Sequence, residues 1–460
     1  MPDNHSAFPP DSHRGGFGEH GGEERGFIDR SFREKIIIVG LDTGNEKDLS
    51  IAAQMTELER LVSTAGADVV HHLVQKRESP DPATFIGRGK VQEIYELAEM
   101  YDVDTVVFND ELSPAQQNNL EKAFKRSAID RTAVILDIFA QNASTPEGKA
   151  QVELAQLQYL LPRLRGRGIA LSQQGGGIGT RGPGETKLEV DRRRLVRKVH
   201  YLQKQLNGIR LARKNQSKRR RKSVNQSIAI VGYTNAGKST LLNCLTQSDD
   251  DALVADRLFA TLDPITRALQ LPGGERIFVS DTVGFVRNLP HHLVEAFKTT
   301  LDVVAEADLL VHVVDGSNPD AGKDIAAVRT VLAEIGAAEL PELIVFNKAD
   351  LAAGGAIFLD YPEAVQISAK TGEGIEKMIA KLSDILRAKL DVYELVIPLS
   401  RGDLIAQVHR EAQVLIEDVQ GDTLVMRARL DEYAQARLRH HIKGETSEKN
   451  LNFPHTHMTC

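Results

Sequence analysis

Cysteine is nearly missing from this 460-residue chain: Cys244 sits inside an apolar stretch and Cys460 is the last residue. Neither a disulfide framework nor a four-cysteine zinc site can be built from two. Long apolar runs are missing too, and none approaches the roughly 18 residues that a spanning helix needs. The opening Met1-Pro2-Asp3-Asn4-His5 lacks the basic-then-apolar layout of a secretory signal, so a cytoplasmic location is expected. Hydrophobic residues at 41% and charged residues at 26% exclude a wholly disordered or collagenous chain. At a prior of about 100–200 residues per domain, the length suggests about three domains.

The net charge of −7 hides an asymmetry. Residues 163–222 carry 19 Lys+Arg against 3 Asp+Glu, a net of +16, which leaves −23 on the other 400 residues. A basic block in an acidic protein points to a polyanionic partner, and nucleic acid is the commonest.

Composition divides the chain further. Residues 1–33 are rich in Gly, Pro, His and charge and read as a disordered tail, in which His5, His13 and His20 have no cysteine or turn to fix them on a metal. Residues 34–145 alternate β-branched runs with helical periods. The runs Ile36-Ile37-Ile38-Val39, Val69-Val70, Thr105-Val106-Val107-Phe108 and Ala133-Val134-Ile135-Leu136 read as strands of an N-terminal α/β domain. Within it Gly87-Arg88-Gly89-Lys90 opens a helix, a weak phosphate-site pattern that a tight turn with a basic helix start explains as well.

Residues 146–225 read as a basic helical hairpin. One helix ends at Pro162, a second has Leu188, Leu195, Val199, Leu202 and Leu206 on one side, a glycine-rich loop (175–185) joins them, and the run 213–222 is a linker. Residues 226–390 form a second α/β domain, 391–441 a small α+β domain of strand, helix, strand, strand, helix, and 442–460 a disordered tail.

The second α/β domain carries the chemistry. Gly232-Tyr233-Thr234-Asn235-Ala236-Gly237-Lys238-Ser239 follows an apolar strand and opens a helix at Thr240. In that context backbone N–H groups wrap α- and β-phosphates, Lys238 reaches the β/γ-phosphates and Ser239 offers its hydroxyl to Mg²⁺. Asp281-Thr282-Val283-Gly284 ends the next strong strand, where the carboxylate can orient the metal through water and the Gly284 N–H can sense a γ-phosphate. Asn347-Lys348-Ala349-Asp350 follows another strand, and Asp350 can accept from the N1–H and N2–H of guanine, donors that adenine lacks. Ser368-Ala369-Lys370 follows the next, with the Ala369 N–H available to guanine O6.

These elements are those of translation-factor-class GTPases, and residues 35–440 resemble one family, HflX. The resemblance rests on Phe85-Ile86-Gly87-Arg88-Gly89-Lys90-Val91, Asp130-Arg131-Thr132, Leu136-Asp137-Ile138-Phe139, the glycine-rich loop, and Leu258-Phe259-Ala260-Thr261-Leu262-Asp263-Pro264. It implies a multidomain α/β GTPase that binds GTP and GDP, associates with the large ribosomal subunit and ribosomal RNA, and can split stalled ribosomes under stress; a monomer is expected when free. It also implies that Phe259, Ala260 and Thr261 lie at the nucleotide, with Thr261 closing on Mg²⁺ and the γ-phosphate; Thr266 is the rival for that role. Ile265 stands where the family usually has Thr. Lys238, Thr261 and Gly284 are therefore the expected catalytic set, and Ser239, Thr261 and Asp281 the expected Mg²⁺ set.

Phe285 occupies the position where many GTPases carry a water-orienting glutamine. Its side chain has no hydrogen-bonding atom, so slow intrinsic hydrolysis is expected. Asn235 permits a K⁺ ion beside the phosphates, and equally a role in fixing its own loop. Two other readings use part of the same residues: an ATP-dependent RNA-remodelling enzyme centred on Gly87 to Lys90, and a nucleotide-gated RNA-binding scaffold with little turnover. The base assignment has a direct test. Asp350→Asn should lose guanine nucleotides and gain xanthine nucleotides, because an amide can donate to the carbonyl that xanthine presents. Unchanged GTP affinity in a binding titration would refute it.

Overall fold

The computed structural model describes residues 33–44, 50–164, 187–220, 226–246, 258–259, 261–272, 276–287, 297–351, 360–388, 390–430 and 432–445. Most of both expected tails, the glycine-rich loop and Ala260 lie outside these residues. The chain divides into two compact units: Met1–Gly208 with Arg257–Leu262 and Asn288–Phe297, and Ile209–Asp256 with Asp263–Arg287 and Lys298–Cys460.

In the first unit β1 (Lys35–Asp42), α1 (Ile51–Ala65), β2 (Asp68–Lys76), α2 (Arg88–Tyr101), β3 (Thr105–Phe108), α3 (Pro114–Phe124) and β4 (Ser127–Asp130) build a parallel sheet in the order β2-β1-β3-β4. The unbroken apolar runs of β1 and β3 suit a parallel sheet, whose central strands are buried on both faces. Sequence also sets the helix ends. Ser113 and Gln116 form a reciprocal capping box with Pro114 in the first turn, and α1 stops at Gly66 with φ +101°.

One expected strand is not a strand. Ala133-Val134-Ile135-Leu136 lies in helix α4 (Arg131–Asn142), and the strand is the preceding Ser127–Asp130. Asp130 decides this by capping the helix, its carboxylate accepting from the Ala133 N–H at 3.1 Å. Residues 131–139 are all buried, and a helix buried on every side shows no 3.6-residue period to distinguish it from a buried strand.

The hairpin helices are α5 (Pro146–Arg163) and α6 (Lys187–Arg220), and Ala150, Leu154, Leu157, Val199, Leu202 and Leu206 form their shared core. Two corrections apply. Pro162 lies inside the last turn of α5, and α6 runs on through residues 213–220 that read as a linker.

The second unit holds β5 (Ser227–Gly232), α7 (Lys238–Thr246), β6 (Ile265–Gln270), β7 (Arg276–Asp281), α8 (Lys298–Ala305), β8 (Leu309–Asp315), α9 (Ala321–Glu334), β9 (Glu342–Asn347), β10 (Val365–Gln366) and α10 (Ile375–Arg387). Its sheet order is β10-β9-β8-β5-β7-β6, parallel except for the antiparallel edge strand β6. A further sheet of β11 (Val392–Pro398), β12 (Gln413–Gln420), β13 (Thr423–Arg429) and β14 (Ile442–Glu445) is antiparallel throughout, ordered β12-β13-β11-β14, with α11 (Gly402–Glu411) and α12 (Glu432–Leu438). This is the split βαβ arrangement. Strand β14 corrects the expected boundary at 441.

A buried carboxylate ties the first unit together. Asp130 is fully buried and accepts hydrogen bonds from Leu112 N–H at 3.1 Å, Tyr159 Oη at 3.0 Å and Arg163 Nη2 at 3.1 Å, besides the capping bond. Arg163 also donates to the Leu112 carbonyl at 2.8 Å and to Gln117 Oε1 at 2.9 Å. Burial pushes the Asp130 carboxyl up, against the pull of the Arg163 charge and the donated hydrogen bonds. Strand β4, helix α5 and the loop before α3 therefore meet on one side chain. Arg163→Ala strands that charge, and should cost about 3–5 kcal/mol, read as a fall in the urea midpoint; a loss within 0.5 kcal/mol (about the surface-substitution level) would show the pair to be dispensable.

Candidate nucleotide-binding site

The site begins where β5 stops. Gly232 has φ +150°, and a Cβ there would stand 2.1 Å from the Val313 carbonyl oxygen, so only glycine lets the chain turn away from β8. Gly237, at φ +92°, leaves no room for a Cβ against Asn347 Nδ2. Between them Asn235 is exposed with φ +60°.

Lys238, at the start of α7, is buried, and its ammonium donates to the Gly232 carbonyl at 3.2 Å and the Tyr233 carbonyl at 2.8 Å. Ser239 Oγ donates to Asp281 Oδ2 at 2.6 Å, and Asp281 is wholly buried at the end of β7. Thr282 Oγ1 donates to the Ile230 carbonyl at 2.7 Å, anchoring the segment that continues through Val283. Two backbone bonds then join this segment to the loop: Thr234 N–H to the Phe285 carbonyl at 2.9 Å, and Phe285 N–H to the Gly232 carbonyl at 3.1 Å. A Cβ on Gly284 would stand 2.8 Å from Thr234 Cγ2 and 3.0 Å from Lys238 Nζ. The Gly284 backbone thus lies beside the lysine ammonium.

The third and fourth elements meet the same loop. Asn347 Nδ2 donates to the Ala236 carbonyl at 2.9 Å while its Oδ1 accepts from Ala369 N–H at 2.9 Å. Ser368 Oγ donates to Asp350 Oδ1 at 2.7 Å. Lys370 is exposed and Thr240 half-buried, each next to a residue of this network. One partner was not singled out from the sequence: Asp315, at the end of β8, accepts from Lys348 Nζ at 2.7 Å. Its sequence signal, an acidic residue closing a strand that is apolar except for His312, names no partner.

Phe259 and Thr261 belong to the other compact unit. There Phe259 (φ +57°) packs edge-on against Phe139 at 4.7 Å, Phe297 does the same at 4.7 Å, and Asn142 Nδ2 donates to the Phe259 carbonyl at 2.6 Å. Thr266 Oγ1 lies 2.8 Å from Ser280 Oγ on the β6–β7 pair, which occupies the rival threonine within the sheet. Gly87 caps α2 through its backbone alone, and Lys90 pairs with Glu93 at 2.8 Å.

Electrostatics sharpen the picture at Lys238. Burial lowers its ammonium pKa to about 8, with Asp281 opposing. An anion against the ammonium favours its charged form and raises that value, so between the two values the complex holds more protons than the free protein. Nucleotide binding should therefore take up a proton at about pH 8.5, and affinity should fall as pH rises through 8 and beyond. GDP titration calorimetry in two buffers of different ionisation enthalpy reads the uptake; identical heats would place Lys238 away from phosphate.

Comparison with known proteins bears on the same residues. Residues 52–140 match the family model "GTP-binding GTPase N-terminal", 142–220 match "GTP-binding GTPase Middle Region", and 227–348 match "50S ribosome-binding GTPase". The chain is 46% identical to the GTPase HflX of Lacrimispora saccharolytica over 401 residues, 87% of this chain and 94% of that protein. It is 45% identical to the GTPase HflX of Alkalihalophilus pseudofirmus over 381 residues, 83% of this chain and 89% of that protein. A crystal structure of a GTP-binding protein from Sulfolobus solfataricus in complex with GDP aligns at 25% identity and a TM-score of 0.40, over 76% of this chain and 98% of that one. Among the described residues no helix is long and apolar enough to cross a membrane. With such identity over nearly the full length of its relatives, the chain belongs to the HflX family of GTPases.

Proposed function

We propose that this GTPase binds GTP through its phosphate loop, acts on the large ribosomal subunit to split stalled ribosomes under stress, and completes its hydrolytic site only when docked there. The observation that carries the last point is Phe285: it is buried, and its backbone is bonded on both sides to the phosphate loop. No hydrogen-bonding side chain stands at that position to orient water.

Lys238 neutralises the β/γ-phosphates, the Gly284 N–H meets the γ-phosphate, and Asp350 reads guanine, with the Ala369 N–H that donates to Asn347 Oδ1 in this structure shared with guanine O6 on binding. Mg²⁺ suits the oxygen donors at hand, since the Ser239 hydroxyl and the buried Asp281 carboxylate lie 2.6 Å apart and Mg²⁺ prefers such hard ligands. Ser239 and Thr261 would hold the ion directly and Asp281 through water, and the ion supplies charge neutralisation on the phosphates. Asn235, exposed in the loop, offers its amide oxygen to K⁺. Arg192, Arg193 and Arg194, all exposed on α6, make the electrostatic contact with ribosomal RNA. A cytoplasmic location follows from that partner.

A ribosome-titrated GTPase assay tests this. The isolated protein should turn over slowly, and the large subunit should accelerate it; a partner-supplied charge can be worth roughly 10³–10⁵ in rate. Neutralising Arg192, Arg193 and Arg194 together should shift the titration to higher subunit concentration and flatten its salt dependence. Fast hydrolysis indifferent to ribosomes would refute the partner-completed site, whereas equal rates in K⁺ and Na⁺ would remove only the K⁺ ion.

A further inference from the structure

Three residues after Asp281-Thr282-Val283-Gly284 comes Arg287, which none of the four nucleotide-binding elements uses. Its side chain is 14% exposed and donates through Nη2 to Asp324 Oδ1 at 2.5 Å; the Asp324 side chain is 8% exposed, on the first turn of α9. Asp324 is itself fixed by Asn318, whose Nδ2 donates to Oδ2 at 2.6 Å and whose Oδ1 accepts from the Asp320 N–H at 3.1 Å. An ion pair so buried and so held is a fixed point between α9 and the segment after β7.

From that fixed point Arg287 reaches the phosphate loop twice. Its backbone N–H donates to Tyr233 Oη at 3.1 Å, and its guanidinium stands 5.8 Å from the Tyr233 ring centroid. Tyr233 is the loop residue whose carbonyl accepts from Lys238 Nζ at 2.8 Å, and it forms a parallel bridge with Phe285. Gly284 lies between the bridge and Lys238. A chain of contacts therefore runs Asn318, Asp324, Arg287, Tyr233, Lys238, enclosing the Gly284 peptide.

We propose that Arg287 is a positioning residue for GTP hydrolysis: anchored on Asp324, it clamps Tyr233 and the Gly284 segment against each other, and so fixes the N–H that meets the γ-phosphate. This rests on the role given to Gly284 above. The clamp holds the Gly284 segment directly and touches the loop only through the Tyr233 ring, leaving the Gly232 and Gly237 turns in place under the α- and β-phosphates, so it bears more on GTP than on GDP. Lysine cannot replace it, because a compact ammonium lacks the planar guanidinium that reaches Asp324 and the Tyr233 ring together.

The test uses the full chain with Arg287→Ala, Arg287→Lys and Tyr233→Phe, measuring affinity for GDP, affinity for a non-hydrolysable GTP analogue, and the single-turnover hydrolysis rate. Both Arg287 variants should hold GDP within about twofold of wild type while analogue affinity and hydrolysis fall about tenfold or more, the worth of one charge-assisted hydrogen bond. Tyr233→Phe removes a single oxygen and should move the analogue-to-GDP ratio the same way by a few-fold. An unchanged ratio in Tyr233→Phe overturns the proposal, even where the Arg287 variants lose both ligands through misfolding. Gly284→Ala separates the two readings: if it leaves the ratio as in wild type, the role of Gly284 fails, and the clamp fails with it.

Discussion

A lysine ammonium without water is the constraint around which the nucleotide-binding unit is built. Desolvating a charge is costly, and Lys238 answers with two backbone carbonyls and the field of Asp281, which together still leave its pKa well below that of a free lysine. Those carbonyls face inward only because Gly232 turns at a backbone angle open to glycine. The turn is held in place by Phe285, whose N–H and carbonyl both bond to the loop. Two backbone bonds at one residue thus couple the loop to the segment after β7.

The first unit handles the same difficulty differently. Asp130 is buried as deeply, yet its two oxygens meet four donors from three parts of the chain. Its role is complete within the fold: it caps α4, fixes the loop before α3 and ties α5 to the sheet. The contrast is chemical. A carboxylate surrounded by donors is a structural fastening, whereas an ammonium held by carbonyls keeps a strong preference for an anion.

How much of this could be read from the sequence follows from the nature of each signal. The phosphate loop, the Asp281 to Gly284 segment, the Asn347 to Asp350 segment and Ser368 to Lys370 were legible because each sits at the end of an apolar strand, where spacing constrains chemistry. Strand and helix could not be told apart at Ala133 to Leu136, since full burial erases periodicity, and the deciding residue was Asp130, one position before the helix. The extension of α6 through 213–220 was hidden for a different reason: a dense run of like charge resembles a solvated linker, although Lys and Arg are good helix formers. The pairings of Asp324 and Asp315 were not legible. Their partners, Arg287 and Lys348, lie 37 and 33 residues away, and only the sheet brings them within reach.

The length of α6 has a mechanical consequence. Thirty-four helical residues extend about 50 Å as a nearly stiff rod. Its middle carries Val199, Leu202 and Leu206 of the hairpin core, and Arg210, one turn beyond, pairs with Asp302 of α8. A helix holds its charges at a fixed spacing of about 1.5 Å per residue, so the Arg192 to Arg194 cluster meets a polyanion as one preset pattern and loses little conformational freedom on binding.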